Sequence, residues 1–143
     1  MKALGFDGRE RRWNLSKGVV SGDDTRPRSN LHILARKILR SEFPYDRILE
    51  EVSLPGSHKP SRKSTLFVDF LIPSASLAVE VHGRQHFEFV AHFHGNMQGF
   101  RKSKARDRDK SNWLGTNSIN LITLSYSESE NEWRERIINR EAG

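Results

Sequence analysis

Two short apolar runs lie within residues 66–86, and the rest of the chain can be ordered around that stretch. Residues 66–72 and 77–82 read as two short strands joined by a tight turn. Pro73, Ser74 and Ser76 are turn formers, and Pro73 ends the first strand because it has no N–H to donate. Side chains alternate between faces along a strand. Leu77, Val79 and Val81 therefore point one way, and Ala78, Glu80 and His82 the other. Glu80 and His82 share a face, roughly 7 Å apart at strand rise. Asp69 and Glu80 are the two acidic positions that interrupt this otherwise apolar hairpin.

Upstream, Ser29 or Asn30 is a good helix N-cap. Leu31, Leu34, Ala35 and Ile38 follow at helical spacing, with Arg36, Lys37 and Arg40 on the other side, and Pro44 stops the helix. Residues 48–54 read as a strand ended by Pro55-Gly56, and residues 57–65 as a basic polar loop. Residues 97–115 read as a strongly basic helix. At about 100° per residue, Met97, Phe100, Asp107 and Leu114 share one stripe of it, and Gly115 is the expected C-cap. Residues 119–124 form a β-branched-rich strand, and residues 128–140 a final helix with Trp133, Ile137 and Ile138. A helix between the third and fourth strands allows a βαβ crossover. The pattern predicts an α/β sandwich with a central mixed four-stranded sheet flanked by helices over residues 29–143. Residues 1–28 lack periodicity and are expected to form a basic irregular arm, with Trp13 and Leu15 able to lie against the body.

Composition narrows the function. Lysines and arginines number 24 against 18 acidic residues, a formal net charge of +6. That balance favours a polyanionic partner, nucleic acid ahead of a membrane surface, although an ordinary basic protein has the same signature. There is no cysteine, which excludes a disulfide framework and a thiolate zinc site. No apolar run approaches a membrane span and the N-terminus lacks a signal-peptide core, so a cytoplasmic protein is expected. The His92-x-His94 pair invites a zinc reading, but histidines and carboxylates alone are a poor structural zinc set.

Two carboxylates on adjacent strands in an apolar setting repel unless something cationic lies between them. A hard divalent cation answers this, because Mg²⁺ prefers carboxylate oxygens. Solvation, or pairing with an arginine, is the alternative. Asp69, then Val79-Glu80-Val81-His82-Gly83 with His86, then Arg106-Asp107 and the strand at 119–124 together resemble the PD-(D/E)xK nuclease superfamily. Within it they are most similar to small phage and bacterial endonuclease-like proteins related to very-short-patch mismatch-repair and homing endonucleases. The likeness covers about residues 29–126. One departure is His82, which stands where the superfamily usually carries lysine. The resemblance implies a restriction-endonuclease-like sandwich and a Mg²⁺-dependent DNA endonuclease, with Mn²⁺ as a substitute ion.

The expected site is built on the hairpin. Asp69, Glu80 and the main-chain carbonyl of Val81 would hold the ion. His82 would orient or deprotonate the attacking water, since a neutral imidazole is a competent base near pH 7. Gln85 and His86 would hold the scissile phosphate or the His82 ring. Arg101, Lys104, Arg106 and Lys110 would contact DNA phosphates. His32, Glu42, Glu50 and Glu51 are further candidates for a third ligand, and neighbours on a strand cannot both face the site. A homodimer is compatible with this reading. The alternative is a non-catalytic DNA- or junction-binding module on a relic nuclease fold.

Overall fold

The computed structural model describes residues 1–16, 18–22, 26–84, 87–88 and 94–140. Its elements in chain order are β1 (Lys2–Leu4), β2 (Glu10–Arg12), β3 (Val19–Val20), α1 (Asn30–Glu42), β4 (Leu49–Leu54), β5 (Leu66–Ile72), β6 (Leu77–His82), α2 (Met97–Thr116), β7 (Asn120–Ser125) and α3 (Glu130–Ile138). The alternation read from sequence places β5 and β6 correctly. Between them Pro73–Ala75 makes one 3₁₀ turn, and Ser76 closes it in the left-handed region with φ 47°.

The sheet is mixed and has five strands in the order β3-β4-β5-β6-β7. The expected four-stranded sheet is thus one strand short. The fifth is β3, whose Val19 and Val20 pair antiparallel with Glu50 and Leu49. Two residues are too few to carry a period, so this strand left no pattern in the sequence. β4, β5 and β6 run antiparallel in series, and β6 pairs with β7 in parallel through the α2 crossover.

One face of the sheet is covered by α1 and α3. Ala35, Ile38 and Leu39 meet Phe70, Ile72, Val79 and Leu124, with Trp133 and Ile137 beside them. Ser29 caps α1 by accepting from the His32 N–H at 3.1 Å, and Ser129 and Glu132 form a capping box on α3. The other face holds Leu49, Val52, Leu71 and Ala78, covered by Trp113 and Leu114 of α2 and by Ala3 and Trp13.

Strict alternation fails in the middle of β4 and β5. Leu49, Val52 and Leu54 share a face, as do Leu66, Val68 and Leu71. The pairs Glu50–Phe70 and Val52–Val68 leave Glu51 and Asp69 opposite one another and outside the ladder. Glu51 has φ 51°, and a left-handed residue here reverses the facing of the strand residues after it. Asp69 therefore stands at the point where its strand changes face.

Residues 1–28, expected as an irregular arm, contain the β1–β2 hairpin and β3. The hairpin is tied to the body. Trp13 is 4% exposed, meets the Trp113 ring edge to face at 5.1 Å and donates its indole N–H to the Ser53 carbonyl at 3.1 Å. Asn117 accepts from the Leu4 N–H at 2.7 Å and donates to the Leu4 carbonyl at 3.0 Å, as a paired strand would. α2 also ends later than the sequence suggested. Asn117 is its cap, Gly115 stays helical, and the left-handed residue is Ser118 with φ 58°.

Trp13→Ala removes a buried aromatic and an indole hydrogen bond. It is expected to cost about 3–5 kcal/mol, the usual scale for a buried aromatic truncation, measured by urea unfolding. A loss under about 1 kcal/mol would mean that the hairpin is a detachable tail.

Candidate active site

The β5–β6 ladder pairs Ile72 with Leu77, Leu71 with Ala78 and Phe70 with Val79. Asp69 and Glu80 would be the next rung, and there the strands part. Each carboxylate takes up a main-chain donor that the ladder leaves behind. The Asp69 N–H donates to Glu80 Oε2 at 2.9 Å, and the Val81 N–H donates to Asp69 Oδ2 at 2.8 Å. The pair is interlocked because a buried N–H without a partner is costly.

Glu80 is 3% exposed. Its second oxygen, Oε1, accepts from Lys110 Nζ at 2.6 Å. Asp69 as a residue is partly accessible, but its carboxyl is enclosed by protein. Desolvation, then the neighbouring Glu80 charge, pushes the Asp69 carboxyl up to about 7, against the Val81 N–H and Lys110, which pull it down. The Asp69 carboxyl is thus held against ionisation beside Glu80, a conflict that a cation between them would relieve. These donors suit a hard divalent ion: anionic oxygens whose mutual repulsion a cation would relieve. Among the described residues no group of three or more histidine, aspartate and glutamate side chains gathers here.

The remaining candidates divide. His82 follows Glu80 along β6 and is half-buried, with its ring 6.1 Å from that of Phe87. Gln85, His86 and His92 lie outside the described residues. Arg101 and Arg106 are exposed on α2. Lys104 lies over the rings of Phe87 and Phe100, at 5.2 and 5.8 Å. Lys110, expected on a phosphate, points inward to Glu80 instead. The buried acid of α2 is Asp109, held by Lys59 at 2.8 Å and Arg62 at 3.1 Å, whereas Asp107 is half-buried. The expected stripe through Met97 and Phe100 is turned because only the C-terminal half of α2 lies on the sheet, through Asp109, Trp113 and Leu114. The i, i+4 pair Asp109 and Trp113 was the signal available in the sequence.

Neither Glu50 nor Glu51 joins Asp69 and Glu80. Glu50 turns to the α1 face, where it is buried among His32 at 2.6 Å, Arg36 at 2.7 Å and Ser21 at 2.5 Å. Burial alone would raise its carboxyl, but those hydrogen bonds outweigh it and hold the group down at about 2. The His32 ring also stacks on Phe70 with centroids 4.5 Å apart. Glu51 pairs with Arg28 at 2.5 Å, and Glu42 with Arg134 at 3.2 Å.

No family model matches the chain, and no solved structure gives a significant match. The chain is similar to uncharacterized protein 307L of Invertebrate iridescent virus 6, with 37% identity over 62 residues, 43% of this chain and 32% of that protein. It is also similar to uncharacterized protein 094L of Frog virus 3, with 33% identity over 84 residues, 58% of this chain and 54% of that protein. The chain thus spans about a third and about half of the length of these two viral relatives.

Proposed function

We propose that the protein is a metal-dependent DNA endonuclease on a restriction-endonuclease-like α/β scaffold. The observation that carries this reading is the buried Asp69–Glu80 pair at the parting of β5 and β6, with Lys110 Nζ 2.6 Å from Glu80. Carboxyls perturbed by burial and a specific charged partner cluster at functional sites. Asp69, Glu80 and the Val81 carbonyl would hold Mg²⁺, which when bound lowers the pKa of water and neutralises charge on the phosphate.

The chain's own groups have separate tasks in this reading. Asp69 and Glu80 supply negative charge already desolvated by the fold. Lys110 holds Glu80 in place and offsets its charge. It thereby fills the part that the missing lysine after Glu80 leaves open. A ring nitrogen of His82 takes a proton from the attacking water, which only the neutral imidazole can do. Arg101 and Arg106, exposed on α2, supply phosphate contacts. A second reading, a non-catalytic DNA-binding module, is favoured by one observation. The carboxylates are already hydrogen-bonded by main-chain donors and by Lys110.

Incubation with supercoiled plasmid and with a four-way junction, in Mg²⁺, Mn²⁺ or EDTA, separates the two. Cleavage in the metals and none in EDTA is expected. Asp69→Asn and Glu80→Gln should each abolish it with the fold retained by circular dichroism. Unchanged Mg²⁺ binding in both variants by calorimetry would remove the metal assignment.

The raised Asp69 pKa gives a prediction independent of activity. Folding keeps a proton on this carboxyl that the unfolded chain releases near its ordinary value of 3.8. Its stabilising contribution is therefore complete below about pH 4 and is lost as pH rises through about 7. In EDTA, Asp69→Asn should be more stable than wild type at pH 8, by up to about 4 kcal/mol, and the gain should vanish by pH 4. A pH-independent difference in melting would show that the pair does not titrate in this range.

Lys110→Met and His82→Ala separate positioning from proton transfer. Loss of an acid–base group should cost about 10²-fold or more, so His82→Ala should be slow and lose the rise in rate through the histidine range. Lys110→Met should be slow as well but keep that rise. It should leave the slope of DNA affinity against salt unchanged, because its ammonium is committed to Glu80; a flattened slope would return Lys110 to the phosphate surface.

A further inference from the structure

The largely apolar cavity on the α2 side of the sheet has no part in the site described so far. It measures about 630 Å³ and is lined by Phe6, Asp7, His58, Lys59, Pro60 and Lys63. Two segments far apart in sequence build it: the turn of the β1–β2 hairpin, and the basic loop before β5. They are held in contact by glycine. A side chain on Gly5 would meet Gly56 Cα at 2.9 Å, and one on Gly56, whose φ is +72°, would meet Gly5 Cα at 2.7 Å. That approach lets the Phe6 N–H donate to the Gly56 carbonyl at 2.8 Å and fixes the ring against the loop. The Lys59 ammonium lies over the Phe6 ring, 4.9 Å from its centroid.

The cavity wall is joined to the acid pair by one helix. Lys59 also donates to Asp109 at 2.8 Å, and the next residue, Lys110, holds Glu80. The lining is an aromatic ring, a proline, a histidine and two lysines beside Asp7, and of these His58 and Lys63 are solvent-exposed. The acid of the lining, Asp7, is bound through both oxygens by Arg11, at 2.8 and 2.6 Å, which holds its carboxyl well below the usual range. An aromatic and apolar floor with a positive surround suits a flat, uncharged ring carried on a polyanionic strand. The chain's charge of +6 suits the same ligand.

We infer that this cavity receives an unpaired nucleotide of the DNA substrate, its base resting on Phe6 and Pro60 and its phosphates against Lys63 and His58. The inference rests on the DNA-binding part of the proposed function and sharpens it. The preferred substrate is a duplex with an extruded or unpaired base near the bond to be cut, in place of an uninterrupted duplex. Unstacking such a base from DNA costs little, because it is already unpaired.

The test is binding in EDTA, followed by fluorescence anisotropy, so that no cleavage is needed. One probe is a duplex with a single unpaired 2-aminopurine, and the other is the fully paired duplex of the same sequence. The wild type is expected to bind the first about tenfold or more tightly, the scale of one base–aromatic stack, with a change in 2-aminopurine emission. Phe6→Leu, which keeps an apolar side chain at that position, should remove the preference and the emission change while leaving paired-duplex affinity within about twofold. Phe6→Trp should restore both. Equal binding of the two duplexes by the wild type, or a preference that survives Phe6→Leu, overturns the inference. So does a loss that falls equally on both duplexes. The outcomes are separable from those of the nuclease reading. Metal-dependent cleavage without any preference for the unpaired base leaves the endonuclease standing and the cavity without this role. A Phe6-dependent preference without cleavage does the reverse.

Discussion

Two strands part at Asp69 and Glu80, and the main-chain donors freed there must be satisfied inside the protein. The solution is side chain to main chain in both directions, and its consequence is electrostatic. Two carboxyls are drawn together in a place with little water, and burial with the Glu80 charge pushes the Asp69 carboxyl up. Everything nearby is arranged around that conflict. α2 brings Lys110 to Glu80, and α2 is in turn fixed by Lys59 and Arg62 on Asp109 and by Trp113 against Trp13. The acid pair thus depends on the N-terminal hairpin, through contacts that no single element provides.

The two faces of the sheet treat a buried carboxylate differently, and the contrast gives the acid pair its interest. Glu50 is surrounded by an arginine, a histidine and a hydroxyl, and its charge is held firmly. Such a group is satisfied and has little left to offer a ligand. Asp69 has another carboxyl as its nearest charged neighbour, with one lysine shared across the pair. Burial and then the Glu80 charge push its carboxyl up. The same chain thus saturates one buried acid with partners and leaves the other under-compensated.

The left-handed residue Glu51 links these two environments. Its reversal turns the strand residues after it, leaves Asp69 outside the β4–β5 ladder and lets Glu51 pair with Arg28 at the surface, while Glu50 just before it faces α1. Backbone strain at a non-glycine residue is sustained only where its surroundings fix it. Here the Glu50 network on one side and the Glu51 ion pair on the other do so.

Local pattern was enough to place the hairpin, its turn, the two carboxylates and the shared face of Glu80 and His82, because strand alternation and proline act over a few residues. It placed the crossover helix and the parallel strand after it for the same reason. Other features were settled by packing. Whether Lys110 meets a phosphate or a glutamate depends on the rotation of α2 about its axis, which is set by Trp113 and Leu114 seating on the sheet. Whether Glu50 or Glu51 could join the site depended on one left-handed residue that breaks the alternation. The docking of the β1–β2 hairpin came from Trp13, Asn117 and the Gly5–Gly56 approach. Those are contacts across 40 to 113 positions of chain, and local pattern carries no record of partners so far apart.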